Sequence, residues 1–205
     1  MKKFFFDLET TGLDYKTNAI HQFSGCIELD GTIIETFNFK IRPFEGAIIE
    51  PKALETSNVT EEQIMAYPPA EEVFGEFMRM LARYVRKFDK KDKMFLVGYN
   101  NAAFDNAFLR EFYVRYQRDD YFNSWFWGNT IDVMVLASEY LAEMRVGMEN
   151  FKLMTTARAL GIEIDESKLH DAEYDIELTR NIYRIVTNRF NEKPSVYGVL
   201  DEMPF

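Results

Sequence analysis

The chain begins with a strongly apolar run that leads directly into two carboxylates. Residues 4–9 read FFFDLE, so three phenylalanines immediately precede Asp7, and Glu9 follows two residues later. A run of bulky apolar residues is typical of a strand that is buried on both faces. A carboxylate at the end of such a strand is costly to remove from water unless an opposite charge compensates it. Because side chains two residues apart on a strand share a face, this stretch predicts a cation beside Asp7 and Glu9, either a basic side chain or a bound metal ion.

The composition indicates one folded domain, or two small ones at most. The chain has 205 residues, of which 47% are hydrophobic, and this is enough for a substantial core. It contains no run of about 18 apolar residues, so we expect no membrane span. The first apolar run stops at Asp7 and is too short for a signal peptide. The single cysteine, Cys26, leaves no internal disulfide, which favours a cytoplasmic protein.

The order of the predicted elements indicates an α/β fold. Asp30-Gly31 between two strand-like runs is a strong hairpin signal, and it predicts three antiparallel strands over residues 2–8, 19–29 and 32–42. The rest of the chain predicts an irregular segment over 43–59 that carries Pro43 and Pro51, a short helix that begins at Thr60 with the capping-box spacing of Thr60 and Gln63, a helix over 70–88 and a strand over 94–99. It then predicts a helix over 100–116, a short strand or turn leading into a helix near Asp132, a helix ending at Gly161 and a helix over 171–190. These elements predict one folded domain over residues 1–190 and an unplaced C-terminal tail over residues 191–205. We therefore expect a mixed sheet, in which an antiparallel N-terminal meander is followed by parallel strands with helical crossovers.

Two later acidic motifs extend the set of candidate ligands. Asp105 follows the predicted strand 94–99 near the start of a helix, and the stretch HDAEYD places His170 before the last helix and Asp175 in its first two turns. Ligands of open α/β sheets lie beyond the carboxyl ends of the strands, so Asp105 is expected near Asp7 and Glu9. Oxygen ligands of this kind select hard cations such as Mg²⁺ or Mn²⁺. Two such ions can hold the attacking and leaving oxygens of a phosphoryl displacement.

Three motifs in this order, DLETTG, NAAFD and HDAEYD, resemble those of the DEDDh exonucleases. This family includes the proofreading (epsilon) subunit of bacterial replicative DNA polymerase, ribonuclease T and oligoribonuclease. The resemblance covers about residues 3–185 and implies a ribonuclease H-like three-layer fold with helices on both faces of a mixed sheet. It also implies 3′-to-5′ release of nucleoside 5′-monophosphates with two divalent metal ions. Carried over by matching position, it implies one general base, His170, and four metal-binding carboxylates, Asp7, Glu9, Asp105 and Asp175.

The same resemblance implies residues that contact the substrate. By position, the turn formed by Thr10, Thr11 and Gly12 meets the terminal nucleotide. Phe104 matches a position at which family members use an aromatic ring to stack on terminal bases, or to wedge between them. Such stacking needs no sequence information. A core aromatic is an equally good interpretation of Phe104.

Other polar residues have simpler interpretations. His21, in a strand pattern, is expected to be an ordinary strand residue, and Asp132 and Asp171 are expected to be helix caps. Asp105, taken alone, would be a charge favoured by the dipole at a helix N-terminus. The arginine and aromatic stretch over residues 110–127 could be a nucleic-acid surface, but a helix with a buried aromatic face and solvated arginines is the preferred interpretation.

The formal net charge of −10 limits the substrates that the chain could bind unaided. Long duplex nucleic acid requires a basic surface, whereas metal ions would neutralise the candidate carboxylates and attract a scissile phosphate. We therefore expect single-stranded DNA or RNA 3′ ends as substrates, without a choice between them, because recognition of the 2′-hydroxyl depends on pocket geometry. The alternative functions are a proofreading subunit that acts with a polymerase and a non-catalytic nucleic-acid-binding module of the same fold. Besides nucleic acid, a polymerase or a second copy of the chain, as in a homodimer, could be the partner.

Overall fold

The computed structural model describes residues 1–117, 121–165, 168 and 172–188. Within these ranges, five strands form one sheet: β1 (Lys2–Thr10), β2 (Ile20–Leu29), β3 (Thr32–Lys40), β4 (Phe95–Gly98) and β5 (Ile131–Asp132). The strand order is β3-β2-β1-β4-β5. The β1–β2 and β2–β3 pairs are antiparallel, whereas β1–β4 and β4–β5 are parallel. The predicted mixed sheet with an N-terminal meander is therefore confirmed.

The hairpin between β2 and β3 turns at the predicted dipeptide. Asp30 has φ of 50° and Gly31 has φ of 90°. Two consecutive positive φ values are characteristic of the type I′ turn, whose twist matches that of the flanking strands. Glycine adopts this conformation without strain, and aspartate tolerates it better than most residues. The Asp-Gly turn thus sets the register of the β2–β3 pair.

The described ranges contain eight α-helices: α1 (Pro51–Thr56), α2 (Glu61–Met65), α3 (Ala70–Tyr84), α4 (Asp105–Tyr116), α5 (Phe122–Trp125), α6 (Val133–Tyr140), α7 (Leu153–Ala159) and α8 (Ala172–Thr187). The capping box predicted for Thr60 and Gln63 is present at α2. Gly161, with φ of 73°, follows α7 as expected.

The sequence prediction missed one helix and was wrong in the bounds of two others. Helix α1 lies within residues 43–59, predicted to be irregular, because Pro51 occupies the helix start, where its missing N–H costs no hydrogen bond. Helix α3 ends at Tyr84 rather than residue 88, since Val85 is extended, with φ of −128° and ψ of 128°. Helix α4 begins at Asp105 rather than residue 100, because Asn100 has φ of 60°, outside the helical region.

Helices cover both faces of the sheet and give three layers. Phe4 and Phe6 of β1 pack into one core cluster with Phe77 of α3 and Phe112 of α4. Phe5 faces the opposite side and packs into a second cluster that includes residues from α6, α7 and α8. Because successive strand side chains alternate between faces, the run of three phenylalanines is buried on both sides of the sheet, as the sequence predicted.

A buried ion-pair network joins α8 to the sheet. Glu28 of β2 is 3% exposed and accepts hydrogen bonds from Lys3 Nζ at 2.9 Å and Arg180 Nη2 at 2.7 Å. The burial of Glu28 would raise its pKa, but the hydrogen bonds from the two cations outweigh that effect, so the pKa is lowered. The network ties α8 to β1 and β2, and Asp175 lies on the same helix, five residues before Arg180.

Within the described ranges, no helix is both long and apolar enough to cross a membrane. The predicted tail over residues 191–205 lies outside the described part of the chain, as do residues 171, 189 and 190 of the predicted last helix.

Candidate active site

The first two candidate ligands lie at the carboxyl end of β1. Asp7 pairs with Ser24 and Glu9 pairs with Gln22 across the β1–β2 ladder, and the register shifts between Glu9 and Thr10. Irregularities of this kind bend a strand and recur beside active sites. Asp7 and Glu9 share the face of β1 on which Phe5 packs against α8, because they are two and four residues beyond it.

Asp105 is the first residue of α4 and lies directly against β1. Its side chain is buried, with the residue 6% exposed, and its carboxylate accepts hydrogen bonds from its own backbone N–H and from that of Leu8. Burial raises the pKa of Asp105 to about 7, with further contributions from Glu9 and Asp132, although the two backbone hydrogen bonds oppose the rise. Leu8 lies between Asp7 and Glu9 in the chain, so Asp105 is adjacent to both.

Asp175 completes a group of four carboxylates. It lies in the first turn of α8. The pKa of Asp7 is raised well above its usual value by burial first, and then by electrostatic repulsion from Asp105, Glu9 and Asp175. The structure therefore brings together all four carboxylates that the sequence identified, on three different elements. His170 lies outside the described residues.

The donor set of this group fits a hard divalent cation. All four side chains offer only carboxylate oxygens, the ligands that Mg²⁺ and Mn²⁺ prefer, and their mutual repulsion is what a cation would relieve. Among the residues that the structure describes, however, no three His, Cys, Asp or Glu side chains already converge closely enough to hold a metal ion. Coordination by three of the carboxylates therefore requires side-chain adjustment.

Ser57 is a site residue that the sequence did not reveal. Its Oγ donates a hydrogen bond to Glu9 Oε2 at 2.5 Å. Ser57 is the C-cap residue of α1, a helix within the segment over residues 43–59 that was predicted to be irregular. Recognising Pro51 as a helix start would have placed the end of α1 near Ser57, but not beside β1, since that contact depends on the tertiary fold.

The three residues of the predicted nucleotide-contacting turn stabilise the turn itself. Thr10 Oγ1 donates to the carbonyl of Gly12 at 2.7 Å. Thr11 is 0% exposed, and its Oγ1 donates to the carbonyl of Ile48 at 2.7 Å and accepts from the N–H of Ala19 at 2.9 Å. Both hydroxyls are thus engaged within the fold, and their contact with a nucleotide stays a prediction.

Gly12 is required by close packing. A Cβ atom there would lie 2.2 Å from Glu50 Oε1 and 2.3 Å from Asn18 Nδ2. Only glycine lets the turn after β1 approach these two side chains. Its predicted contact with the terminal nucleotide also stays a prediction.

Phe104 is partly buried and precedes Asp105 as the N-cap residue of α4. Its ring centroid lies 4.9 Å from that of Phe108, within the first core cluster. The packed part of the Phe104 ring thus belongs to the core, as one of the two interpretations expected. Stacking of a base on the exposed part of the ring stays a prediction.

The arginine and aromatic stretch has a buried aromatic face, as the preferred interpretation expected. Phe108, Phe112 and Tyr113 of α4 are buried. Arg110 packs over the ring of Phe122 at 4.4 Å, and Arg115 pairs with Glu111 and stacks on Phe44. Arg118 lies outside the described residues.

Asp132 caps α6, as predicted, and has a second role that the sequence did not indicate. Its carboxylate accepts hydrogen bonds from the N–H of Met134 at 3.0 Å, of Asn100 at 3.0 Å and of Ala102 at 3.3 Å. The last two belong to the segment between β4 and α4, which leads to Asp105. Asp132 therefore fixes the backbone that positions a candidate ligand.

His21 is an ordinary strand residue, as expected. It lies on β2 and is 0% exposed. Burial, with a smaller contribution from Lys40, lowers the pKa of His21 to about 4. The imidazole is therefore neutral at physiological pH. Asp171, predicted to be a cap, lies outside the described residues.

Comparison with known proteins places this site in a wider context. A family model described as Exonuclease (RNase_T) matches residues 4–183 of the chain. Ribonuclease T of Hahella chejuensis is 29% identical over 192 residues, which cover 91% of this chain and 83% of that protein. The PolC-type DNA polymerase III of Clostridium perfringens is 26% identical over 195 residues, which cover 95% of this chain but 12% of that protein.

Solved structures show the same fold. The zinc-bound complex of Escherichia coli exonuclease I with single-stranded DNA superposes with a TM-score of 0.74 at 22% identity, covering 98% of this chain and 42% of that chain. The complex of the same enzyme with a dT13 oligonucleotide also superposes with a TM-score of 0.74. The chain thus spans less than half the length of these solved chains, and at this identity the likeness shows the ribonuclease H-like fold.

Proposed function

The chain belongs to the exonuclease family, and from that premise we propose that it removes nucleoside 5′-monophosphates from the 3′ ends of single-stranded DNA or RNA with two divalent metal ions. As a member of this family it is an exonuclease hydrolase that acts on nucleic acid. The observation that supports the metal-dependent mechanism is the proximity of four carboxylates from β1, α4 and α8, whose mutual repulsion, together with burial, raises the pKa of Asp7.

The four carboxylates are the proposed ligands, and Mg²⁺ and Mn²⁺ are the proposed ions. When bound, such ions supply positive charge that neutralises the carboxylates, attracts the scissile phosphate and lowers the pKa of an attacking water. Asp7 lies close enough to the other three carboxylates for each of them to raise its pKa. Ser57, through its hydrogen bond to Glu9, orients that carboxylate.

His170 is the proposed general base. The assignment rests on its position in the HDAEYD motif, five residues before Asp175. A neutral imidazole accepts the proton of the attacking water in the physiological pH range. A base of this kind typically contributes about 10²–10⁴ in rate.

The substrate class follows from charge and from the relatives. With a net charge of −10, the chain has little general attraction for duplex, whereas a single-stranded end needs few phosphate contacts. The related solved structures are complexes of exonuclease I with single-stranded DNA, which supports the same class here.

A second candidate function is proofreading in association with a polymerase. The match to a PolC-type DNA polymerase III favours it, because 95% of this chain aligns with a region that makes up 12% of that protein. In this case the polymerase would provide the duplex contacts that the acidic chain lacks.

The deciding experiment uses oligonucleotides of identical sequence, as DNA and as RNA, labelled at the 3′ or the 5′ end. We expect Mg²⁺-dependent release of a 5′-mononucleotide from the 3′ end, loss of release in Asp7→Asn, and a rate reduced about 10²–10⁴-fold in His170→Ala. Asp89→Asn, which changes an exposed-turn carboxylate, is the matched control. Initial release of the 5′ label as a mononucleotide, or a fully active His170→Ala variant, would contradict the proposal.

The proofreading candidate has a separate test. Duplexes with a matched or a mismatched 3′ terminus are given to the chain with and without a polymerase from the same source. Proofreading predicts that the polymerase stimulates removal from the mismatched end. An equal rate with and without polymerase rejects it. Sedimentation of the chain alone tests whether a second copy of the chain is a partner.

A further inference from the structure

The polar character of the candidate active site continues across the sheet. In an antiparallel pair, directly opposed residues project to the same face, so the registers of the β1–β2 and β2–β3 pairs define rows that share a face with the carboxylates. Two such rows start at β1 and consist of Asp7, Ser24 and Asn38, and of Glu9, Gln22 and Lys40. The second row thus begins at a carboxylate and ends at a cation on the edge strand.

Hydrogen bonds connect these rows into one layer. Gln22 Nε2 donates to Ser24 Oγ at 3.2 Å and to Asn38 Oδ1 at 3.0 Å, and Gln22 Oε1 accepts from Lys40 Nζ at 2.6 Å. Ser24 Oγ also donates to Asn38 Oδ1 at 3.0 Å. Gln22 is therefore held from both sides and restrains the ammonium group of Lys40. A restrained cation loses less side-chain entropy when it binds a ligand.

Lys40 lies among other groups suited to nucleic acid. Its Nζ is 5.9 Å from the ring centroid of Tyr67. Arg42, two residues along the chain and exposed, donates from Nε to the carbonyl of Tyr67 at 3.0 Å. We refer to Lys40, Arg42 and Tyr67 as the Lys40 cluster. It combines two cations with a partly exposed aromatic ring, the pairing that binds single strands through phosphates and bases.

The distance from Lys40 to the carboxylates suits a phosphate of the substrate that neighbours the scissile one. Adjacent strands lie about 4.8 Å apart, so Lys40, two strands from Glu9, is about 10 Å from the line of β1. This is too far to contact the scissile phosphate at the carboxylates but within reach of the following phosphates of a strand held there. In a chain with a net charge of −10, cations on the face of the carboxylates oppose the general repulsion of a polyanion.

We propose that the Lys40 cluster binds the phosphate backbone of single-stranded nucleic acid, one or two nucleotides on the 5′ side of the cleaved bond. This inference rests on the proposed exonuclease function. Lys40 acts as a point charge on a phosphate, which positions the strand without reading its sequence, and Tyr67 offers a face for one base. The cluster sets the affinity for oligonucleotides and takes no part in the reaction at the terminal phosphodiester.

The test compares a dinucleotide, which has one phosphodiester, with a ten-nucleotide oligomer of the same 3′ sequence. In Lys40→Gln we expect the KM for the oligomer to rise about tenfold while kcat is maintained. The slope of log affinity for the oligomer against log salt concentration should fall in magnitude by about one. The kinetics on the dinucleotide should be unchanged. Lys40→Arg keeps the charge and should behave like the wild type. Lys90→Gln, on the turn that precedes β4 at the opposite end of the sheet, is the control.

Two results would overturn the inference. One is an unchanged KM and salt slope for the oligomer in Lys40→Gln. The other is an equal loss on the dinucleotide, which would show that Lys40 acts on the carboxylates or on folding. A wild-type chain that hydrolyses neither substrate contradicts the proposed function instead. In that case, fluorescence anisotropy with a labelled oligomer still measures whether Lys40→Gln weakens binding relative to Lys90→Gln.

Discussion

The Asp132 carboxylate accepts a hydrogen bond from the backbone N–H of Asn100 at 3.0 Å and thereby joins the segment before α4 to the start of α6. Asn100 has φ of 60°, a left-handed conformation that costs free energy for a residue other than glycine. A second hydrogen bond, from the N–H of Ala102, comes from the same segment. The hydrogen bonds to Asp132 therefore offset the free-energy cost of the left-handed conformation of Asn100, in the turn that leads to Asp105.

Removal of this carboxylate should affect both stability and catalysis. In Asp132→Ala three backbone N–H groups lose their acceptor, and we expect a loss of about 2–4 kcal/mol in the free energy of unfolding and a kcat lowered more than KM is raised, because Asp105 is displaced. Denaturant unfolding and steady-state kinetics measure the two effects. Asp89→Ala, which removes an acceptor for the N–H of Lys91 in an exposed turn, is the control. A stable Asp132→Ala variant with the kcat of the wild type would show that Asp132 does not position Asp105.

Replacing the carboxylate of Asp7 should stabilise the fold and weaken metal binding. Its pKa is raised by burial and by three neighbouring carboxylates, so Asp7→Asn removes a repelled charge with almost no change in shape. Without divalent cations we expect the variant to be about 0.5–2 kcal/mol more stable than the wild type. Calorimetric titration with Mn²⁺ should show weakened binding, and turnover should be abolished. Unchanged Mn²⁺ binding with retained turnover would reject Asp7 as a ligand.

His21 should make folding sensitive to mild acid. Its pKa is about 4 in the folded chain against an ordinary value of 6.5, so between these values only the unfolded chain binds the proton. Stability that is present above pH 6.5 is therefore lost as the pH falls towards 4, by up to about 3 kcal/mol, and His21 contributes no further loss below that pH. Urea unfolding of His21→Leu at several pH values should show a smaller dependence than the wild type over this window. An identical dependence in both proteins would contradict the lowered pKa.

The buried pair of Glu28 and Arg180 should matter far more than an exposed ion pair. Arg180→Met leaves a buried carboxylate with one cation fewer, and we expect a loss of about 3–5 kcal/mol. Arg86→Met, which removes an 80% exposed partner of Asp89, should change stability by less than about 1 kcal/mol. Chemical denaturation compares the two variants.

The lowered pKa of Glu28 adds a pH dependence to this comparison. A carboxyl group with a lowered folded pKa stabilises above its unfolded value, and the contribution is lost as the pH falls through the folded value. Arg180→Met should therefore show a weaker loss of stability at acid pH than the wild type. A loss equal to that of Arg86→Met at all pH values would mean that the network does not hold α8 on the sheet.

Elements whose signals are local could be predicted from the residues alone. The apolar run before Asp7 required a strand buried on both faces, Asp30-Gly31 required a hairpin, and the spacing of Thr60 and Gln63 required a helix start, because each depends on neighbouring residues and on the period of one element. Asp7, Glu9, Asp105 and Asp175 became candidate ligands through the resemblance of three ordered motifs to those of the exonuclease family. No single one of these carboxylates was sufficient, because Asp105 taken alone would be a charge favoured by the dipole at a helix N-terminus.

Contacts between distant segments could be known only from the folded chain. The bond between Ser57 and Glu9 spans 48 residues, and that between Asn100 and Asp132 spans 32 residues, so no local pattern could predict either. The latter bond also explains why α4 begins at Asp105 and not at residue 100. Likewise, Lys40 shares a face with Glu9 only through the registers of two strand pairs. Residue types and their spacing set the chemistry available to this chain, whereas strand register and long-range hydrogen bonds determined which groups lie close enough to act together.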